Sequence, residues 1–233
     1  MGGFNMPFFA GGSDFILYIL AVVIMMAAQA KVKNAYARFS RMRANTSYTG
    51  SDVAQIILRR QGISDVHVEA GRGTLSDHYD PRSKTVRLSE GVYNSNSIAA
   101  ISIAAHEVGH AIQHHQGYSI LALRNLILPA AIVAGNLGWG VLIFGLLLNS
   151  IPMLYLGILM LVVIAVFQLV TLPVEFDASK RALVLLVDEG IISTDERSYA
   201  KSMLSAAAFT YVAALVGSLL QIFRILLLTQ RRR

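Results

Sequence analysis

The chain has 233 residues, 55% of them hydrophobic, and a mean hydropathy of +0.54, which indicates a membrane protein and excludes an ordinary soluble domain. Its net charge of +6 comes from Lys and Arg beside apolar segments, a pattern that favours anionic lipid head groups over nucleic acid. Because the chain has no cysteine, disulfides and thiolate metal sites are excluded, and a transition-metal site must use His, Asp or Glu.

The first apolar stretch, residues 15–28, carries no charge and predicts a transmembrane anchor within residues 1–30. Ala28-Gln29-Ala30 resembles a small-residue cleavage site, so a secretory signal is the alternative. No Lys or Arg precedes the stretch, whereas residues 31–43 contain several. This asymmetry favours an anchor whose N-terminus lies outside and whose basic side lies in the cytoplasm.

Residues 31–122 contain the features of a folded soluble domain. Residues 51–60 have helical spacing and a basic end before Gly62, which suits a helix terminated by glycine. Residues 66–69 and 85–88 alternate between apolar and polar side chains, as strands do. We therefore expect a small sheet with a helix on either side.

Residues 99–115 predict one helix, whose free amides the Ser95-Asn96-Ser97 cluster can cap. It contains His106-Glu107-Val108-Gly109-His110, the HExxH pattern. Residues four apart lie above one another on a helix, so His106 and His110 can share one metal ion. Glu107 lies close enough to reach a water on that ion and is the expected general base. The pattern predicts a zincin-like zinc site within residues 31–122.

Two further apolar stretches, residues 126–148 and 151–174, are each long enough to span the bilayer. Only Asn149 and Ser150 separate them, so we expect a tight transmembrane hairpin within residues 123–174. Residues 203–228 form a last apolar segment before the basic tail, so residues 203–233 are expected to form a C-terminal membrane segment and tail. A full span would place the basic tail outside, against the positive-inside tendency, so a re-entrant or interfacial segment is the alternative.

A hydrolytic zinc usually has three protein ligands, so the histidine pair is one ligand short. His114 shares their helical face but lies about 12 Å from His106 along the helix, too far for one ion bound at about 2 Å. Glu175 is the better candidate, because the hairpin returns the chain to the same membrane face. A new helix over residues 175–202 would then complete the catalytic domain, with Ser179 on the same side. Asp177 is a weaker rival on a different face.

The segment Leu75–Pro81 has two interpretations. Asp-Pro with polar neighbours is ordinary turn chemistry. Alternatively, His78 or Tyr79 donates a hydrogen bond to the oxyanion of a reaction, while the adjacent strand pairs with an extended substrate.

Three ordered motifs carry a resemblance to a known family: His106–Gln113 (HEVGHAIQ), Leu75–Arg82 (LSDHYDPR) and Leu172–Ala182 (LPVEFDASKRA). Together they resemble the bacterial membrane-embedded family called putative neutral zinc metallopeptidases, the YugP-like family. The resemblance implies zinc peptidase activity with Glu175 as third ligand, as in gluzincins. The chain is also distantly similar to HtpX-like membrane peptidases, which place Asp four residues after the ligand glutamate. Ser179 holds that position here and is the candidate to support a zinc histidine.

These features predict a mainly α-helical multi-pass membrane protein, with a zincin-like α+β catalytic domain packed on about four membrane helices. The expected function is zinc-dependent hydrolysis of peptide bonds in membrane-associated proteins, at the cytoplasmic face of the cell membrane. Sixteen of the twenty Lys and Arg residues then lie on the cytoplasmic side. The rival functions are a zinc-stabilised membrane scaffold without catalysis and a zinc transporter. The transporter ranks last because transport sites lie at mid-bilayer, away from the predicted histidines.

Overall fold

The computed structural model describes residues 12–230, with side chains from residue 15 on. Within that range seven helices and three strands follow one another. They are α1 (Gly12–Phe39), α2 (Gly50–Arg60), β1 (His67–Gly71), β2 (His78–Asp80), β3 (Thr85–Ser89), α3 (Glu90–Tyr93), α4 (Ile98–His115), α5 (Ser119–Leu147), α6 (Ile151–Asp188) and α7 (Arg197–Gln230). The predicted fold class, mainly helical with a small sheet, is confirmed.

Four of these helices are long and apolar enough to cross a membrane: α1, α5, α6 and α7. The predicted hairpin is present, since residues 148–150 form the turn between α5 and α6 and Asn149 adopts a φ of 49°. The basic tail at residues 231–233 lies outside the described residues.

The expectation that a new helix begins at Glu175 is wrong. Helix α6 runs without interruption from Ile151 to Asp188, with Pro173 inside it. Proline removes one backbone hydrogen bond, a defect that membrane helices tolerate when neighbouring groups satisfy the freed carbonyl. Glu175 therefore lies on the same helix as the second apolar stretch of the hairpin.

The sheet has the strand order β1-β3-β2, with β1 parallel and β2 antiparallel to β3. Strands β1 and β3 were predicted, whereas β2 is short and lies in the segment Leu75–Pro81, for which a turn was one of two interpretations. Asp77 holds this segment in place, because its carboxylate accepts hydrogen bonds from the backbone N–H and the hydroxyl of Ser89. The turn chemistry expected at Asp80 follows the strand, where its carboxylate accepts from the backbone N–H of Arg82.

Helix α4 lies at the centre of the mixed α/β part. Its N-terminus is capped as predicted, because the Ser97 hydroxyl accepts a hydrogen bond from the backbone N–H of Ala100. Most of its residues are buried, and it packs against α2, α3 and the sheet. The surrounding core draws buried side chains from α2, β3, α6 and α7, including Ile57, Leu88, Leu186 and Met203.

The chain divides into two compact units. The mixed unit comprises residues 30–122 and 172–209, and contains the sheet, α2, α3 and α4. The helical unit comprises the described parts of residues 1–29, 123–171 and 210–233. Helices α1, α5, α6 and α7 each contribute to both units.

Candidate metal centre

The mixed unit brings three possible metal ligands together: His106 and His110 on α4 and Glu175 on α6. Their nearest donor atoms all lie within 4.8 Å of one another. The Glu175 carboxylate oxygen Oε2 lies 3.3 Å from His106 Nε2 and 3.7 Å from His110 Nε2. The Glu175 side chain is 4% exposed, whereas the imidazoles are 14% and 13% exposed. The two imidazoles are therefore partly accessible, whereas the carboxylate is not.

These spacings fit the zinc ion that the motif predicts. Zinc binds nitrogen and oxygen ligands at about 2.0–2.1 Å, so neighbouring ligand atoms of a tetrahedral site are about 3.3–3.4 Å apart. The distance from Glu175 Oε2 to His106 Nε2, 3.3 Å, equals such an edge, and the distance to His110 Nε2, 3.7 Å, is a few tenths of an ångström longer. Two imidazoles and one carboxylate, with an accessible side, form the donor set of hydrolytic zinc sites.

The close packing of α4 on α6 explains how Glu175 reaches both histidines. Gly109 lies between His106 and His110 in sequence and faces the backbone of Ala178 on α6. A Cβ atom added at Gly109 would lie 2.8 Å from the carbonyl oxygen of Ala178 and 3.2 Å from its Cα. Any larger residue would hold the two helices apart, so the glycine is required for the short distance between α4 and α6.

The side-chain amide of Gln113 connects His110 to α6, and both its oxygen and its nitrogen form hydrogen bonds. Its Oε1 lies 3.0 Å from His110 Nδ1, and its Nε2 donates to the Val174 carbonyl at 2.9 Å and to Asp177 Oδ2 at 2.8 Å. Because both acceptors require the NH2 group, the amide has one orientation, and its oxygen must accept from His110 Nδ1–H. This tautomer leaves the Nε2 lone pair free for the metal.

Ser179 gives His106 a similar but weaker support. The Ser179 hydroxyl lies 3.1 Å from His106 Nδ1, where it can accept the ring N–H when Nε2 binds a metal. A hydroxyl carries no charge, so it raises the basicity of the imidazole less than the aspartate of HtpX-like peptidases would.

The charges around His110 change its proton affinity. Burial lowers the pKa of His110, but the hydrogen bond with Glu175 and the charges of Glu107 and Glu175 raise it, and the net direction is upward. Glu107 follows His106 directly on α4 and is 9% exposed. A metal must displace a proton from His110, so metal affinity decreases as the pH falls.

Asp177 and His114, the weaker candidates for the third ligand, are engaged elsewhere. Asp177 accepts hydrogen bonds from Gln113 and, at 2.5 Å, from Arg181. His114 Nδ1 lies 2.8 Å from the hydroxyl of Tyr79. Among the described residues, the group whose donor atoms are close enough to share a metal ion therefore consists of His106, His110 and Glu175.

Strand β2 directs Tyr79, and not His78, towards α4. Successive side chains of a strand point to opposite faces, and Tyr79 contacts His114 on α4. His78 is exposed, and its Nδ1 lies 2.8 Å from the Ser76 carbonyl. Burial, with the charges of Asp65 and Asp80, raises the pKa of Tyr79 to about 12, so its hydroxyl remains a donor at neutral pH.

The sequence reasoning missed two residues of this site, although both leave a signal. Gln113 is seven residues after His106, so it lies on the same helical face and interrupts an apolar surface. Gly109 lies inside a helix, where glycine costs about 1 kcal/mol relative to alanine. A polar residue on an apolar helical face indicates a hydrogen bond, and a glycine inside a helix indicates close packing. The sequence does not show which residues are the partners.

The comparisons with known proteins agree with this chemistry. A family profile described as "Putative neutral zinc metallopeptidase" matches residues 14–230. The protein described as "Putative membrane protease YugP" from Bacillus subtilis (strain 168) is 45% identical over 212 residues, which cover 91% of this chain and 94% of the relative. No solved structure matches the chain.

Replacement of Glu175 by alanine should remove the third ligand. We expect Glu175→Ala to lower zinc affinity by more than the about 10–100-fold that loss of a supporting hydrogen bond costs. Zinc content after dialysis, measured by mass spectrometry, tests this. The control is Glu189→Ala, which removes a carboxylate paired with Arg60. Full zinc retention in Glu175→Ala would transfer the ligand role to Asp177 or His114.

Replacement of Gly109 by alanine should separate α4 from α6. In an uncrowded helix this change is stabilising, by about 1 kcal/mol, but overpacking costs about 1–3 kcal/mol. We expect a lower melting temperature and weaker zinc binding. Gly140→Ala on α5 is the control, since no atom lies within 4 Å of the added Cβ. A stabilised Gly109→Ala variant that keeps its zinc would contradict the packing explanation.

Replacement of Gln113 by leucine should release the His110 ring. We expect zinc affinity to fall by about 10–100-fold while all three ligands remain, because His110 loses the acceptor that selects its tautomer. Zinc competition with a chelator measures the change. Gln55→Leu is the matched control, because Gln55 is an exposed glutamine on α2. Equal affinities for the two variants would exclude a role for Gln113 in orienting His110.

Proposed function

We propose that this chain, which belongs to the family of putative neutral zinc metallopeptidases, is a membrane-embedded peptidase that hydrolyses peptide bonds of membrane or juxtamembrane proteins. The observation that carries the proposal is the buried Glu175 carboxylate beside both imidazoles of the HExxH helix. Glu107 is the residue after His106 on the same helix, and its charge contributes to the raised pKa of His110. A ligand set with one accessible side and an adjacent carboxylate suits hydrolysis better than metal storage.

In this proposal His106, His110 and Glu175 hold the zinc ion. When bound, zinc supplies a water of lowered pKa and polarises the scissile carbonyl. Glu107 accepts a proton from the attacking water and later donates it to the leaving nitrogen. Gln113 and Ser179 keep the two imidazoles in the tautomer that exposes Nε2.

Tyr79 is the candidate for contact with the reacting carbonyl. Its hydroxyl lies against His114, one helical turn beyond His110, and remains protonated at neutral pH. A protonated hydroxyl can donate to a developing oxyanion. Among the described residues β2 pairs on one side, with β3, so its free edge can add a strand of extended substrate. His78 faces away from α4, and we assign it no contact with the carbonyl.

The four apolar helices support a membrane location, and the relative is described as a membrane protease. We propose that the active site faces the cytoplasm, because that orientation places the basic residues after α1 on the cytoplasmic side. Glu175 follows an apolar helical segment directly. Membrane proteins and their juxtamembrane segments are therefore the proposed substrates, with the lipid bilayer as the surrounding partner and no role for nucleic acid.

Replacement of Glu107 by glutamine tests catalysis separately from metal binding. The change keeps the shape of the side chain but removes its basicity, so we expect full zinc content and a loss of about 10²–10⁴-fold in cleavage rate. Cleavage of a labelled single-span membrane protein in detergent, beside labelled unfolded casein, measures the rate.

The same experiment separates the rival functions. Unchanged turnover in Glu107→Gln would remove Glu107 from the mechanism. A zinc-loaded wild-type protein that cleaves neither substrate would favour a non-catalytic scaffold. Equal cleavage of casein and the membrane protein would remove the support for membrane substrates.

A further inference from the structure

A groove of about 350 Å³ lies in the helical unit between α5, α6 and α7. Five of its lining residues follow one side of α5 at helical spacing: Arg124, Leu128, Ala131, Ile132 and Gly135. Ile164 and Phe167 of α6 are part of the other wall. All the lining residues belong to the helical unit, so the groove is separate from the metal centre, whose ligands belong to the mixed unit.

Arg124 is a cation without an acidic partner among the side chains that the structure describes. Its guanidinium carbon Cζ lies 5.8 Å from the centre of the Phe167 ring, a cation–π contact that holds the group at the wall of the groove. The Nε atom is buried, but the residue as a whole is half-buried and lines the groove. The two terminal nitrogens are therefore the donors that remain for a ligand.

The groove has the length of one leaflet of a bilayer. Arg124 and Gly135 are eleven residues apart on α5, which corresponds to about 16 Å of helix. Half of a hydrocarbon core of about 30 Å is about 15 Å. Arg124 is near the end of α5 opposite the turn at residues 148–150, and the uncharged apolar stretch begins at residue 126. The cation therefore lies at the edge of the hydrocarbon, and the apolar wall extends inward from it.

We propose that this groove binds an anionic phospholipid, with the phosphate on Arg124 and one acyl chain along α5 as far as Gly135. A phosphate can accept hydrogen bonds from both terminal nitrogens of one guanidinium and neutralises its charge. A zwitterionic head group carries a second cation, which Arg124 repels, so a head group with net negative charge is favoured. In the orientation proposed above Arg124 lies on the cytoplasmic side, whose leaflet carries anionic lipids.

The apolar wall favours a lipid tail over a peptide as the occupant. The side chains of Leu128, Ala131 and Ile132 offer no hydrogen-bond donor or acceptor. A hydrocarbon chain needs none, whereas an extended peptide would leave its backbone amides unmatched along this wall. The inference goes beyond the peptidase function and does not depend on it.

Two pairs of matched variants test the two ends of the groove. Arg124→Gln removes the cation, and Arg38→Gln is its control, because Arg38 is an exposed arginine of α1 that does not line the groove. Gly135→Leu fills the apolar part, and Gly140→Leu on the same helix is its control outside the groove. An added Cβ meets no atom within 4 Å at either glycine, so both leucines begin in open space.

Native mass spectrometry of the full chain in detergent measures the affinity of the first bound lipid. The probes are phosphatidylglycerol and phosphatidylcholine with identical acyl chains. We expect wild type to bind phosphatidylglycerol about tenfold or more tightly, a preference that Arg124→Gln removes and Arg38→Gln keeps. Gly135→Leu should weaken the binding of both lipids, and Gly140→Leu should leave it unchanged. Thermal melting followed by circular dichroism establishes that each variant is folded.

An unchanged preference for phosphatidylglycerol in folded Arg124→Gln would overturn the proposal. An equal loss in Arg38→Gln would also overturn it, because the attraction would then come from the basic surface in general. Unchanged lipid affinity in Gly135→Leu would place the acyl chain elsewhere and reject the groove. Displacement of the lipid by glycerol phosphate at equal affinity would identify a phosphate site without a tail. A protein without peptidase activity would leave each of these outcomes unaffected, since lipid binding is measured without substrate.

Discussion

The carboxylate of Glu175, buried beside two imidazoles, is the interaction on which the functional centre depends. A carboxylate loses hydration when it is buried, and this cost is offset only by hydrogen bonds and by positive charge. A metal ion held by His106, His110 and Glu175 would supply that charge. The two imidazoles keep a small exposed fraction, whereas the carboxylate is almost fully buried.

This arrangement requires α4 and α6 to pack closely. Ligand atoms on α4 and α6 must approach within a few ångströms, and the contact between Gly109 and Ala178 permits it. Once the backbones are this close, Gln113 reaches both the Val174 carbonyl and Asp177. Tight packing and ligand orientation are therefore two consequences of one helix contact, which couples the stability of the mixed unit to its chemistry.

Helix α6 joins an apolar segment and the ligand glutamate in one continuous helix. Its first part is apolar, and its later part carries Glu175 and Ser179.

The sequence by itself determined the features that depend on short separations along the chain. Helical periodicity placed His106 and His110 on one face, the serine cluster capped α4, and apolar length identified the four spanning helices, because each follows from local geometry or composition. Only the tertiary structure decided which residues meet those histidines. Glu175 lies 65 residues after His110, and nothing in local geometry measures a distance across such a separation. The unbroken course of α6 through Pro173, the strand at Tyr79 and the bond from Gln113 to α6 were likewise decided by packing, because each depends on partners distant in sequence.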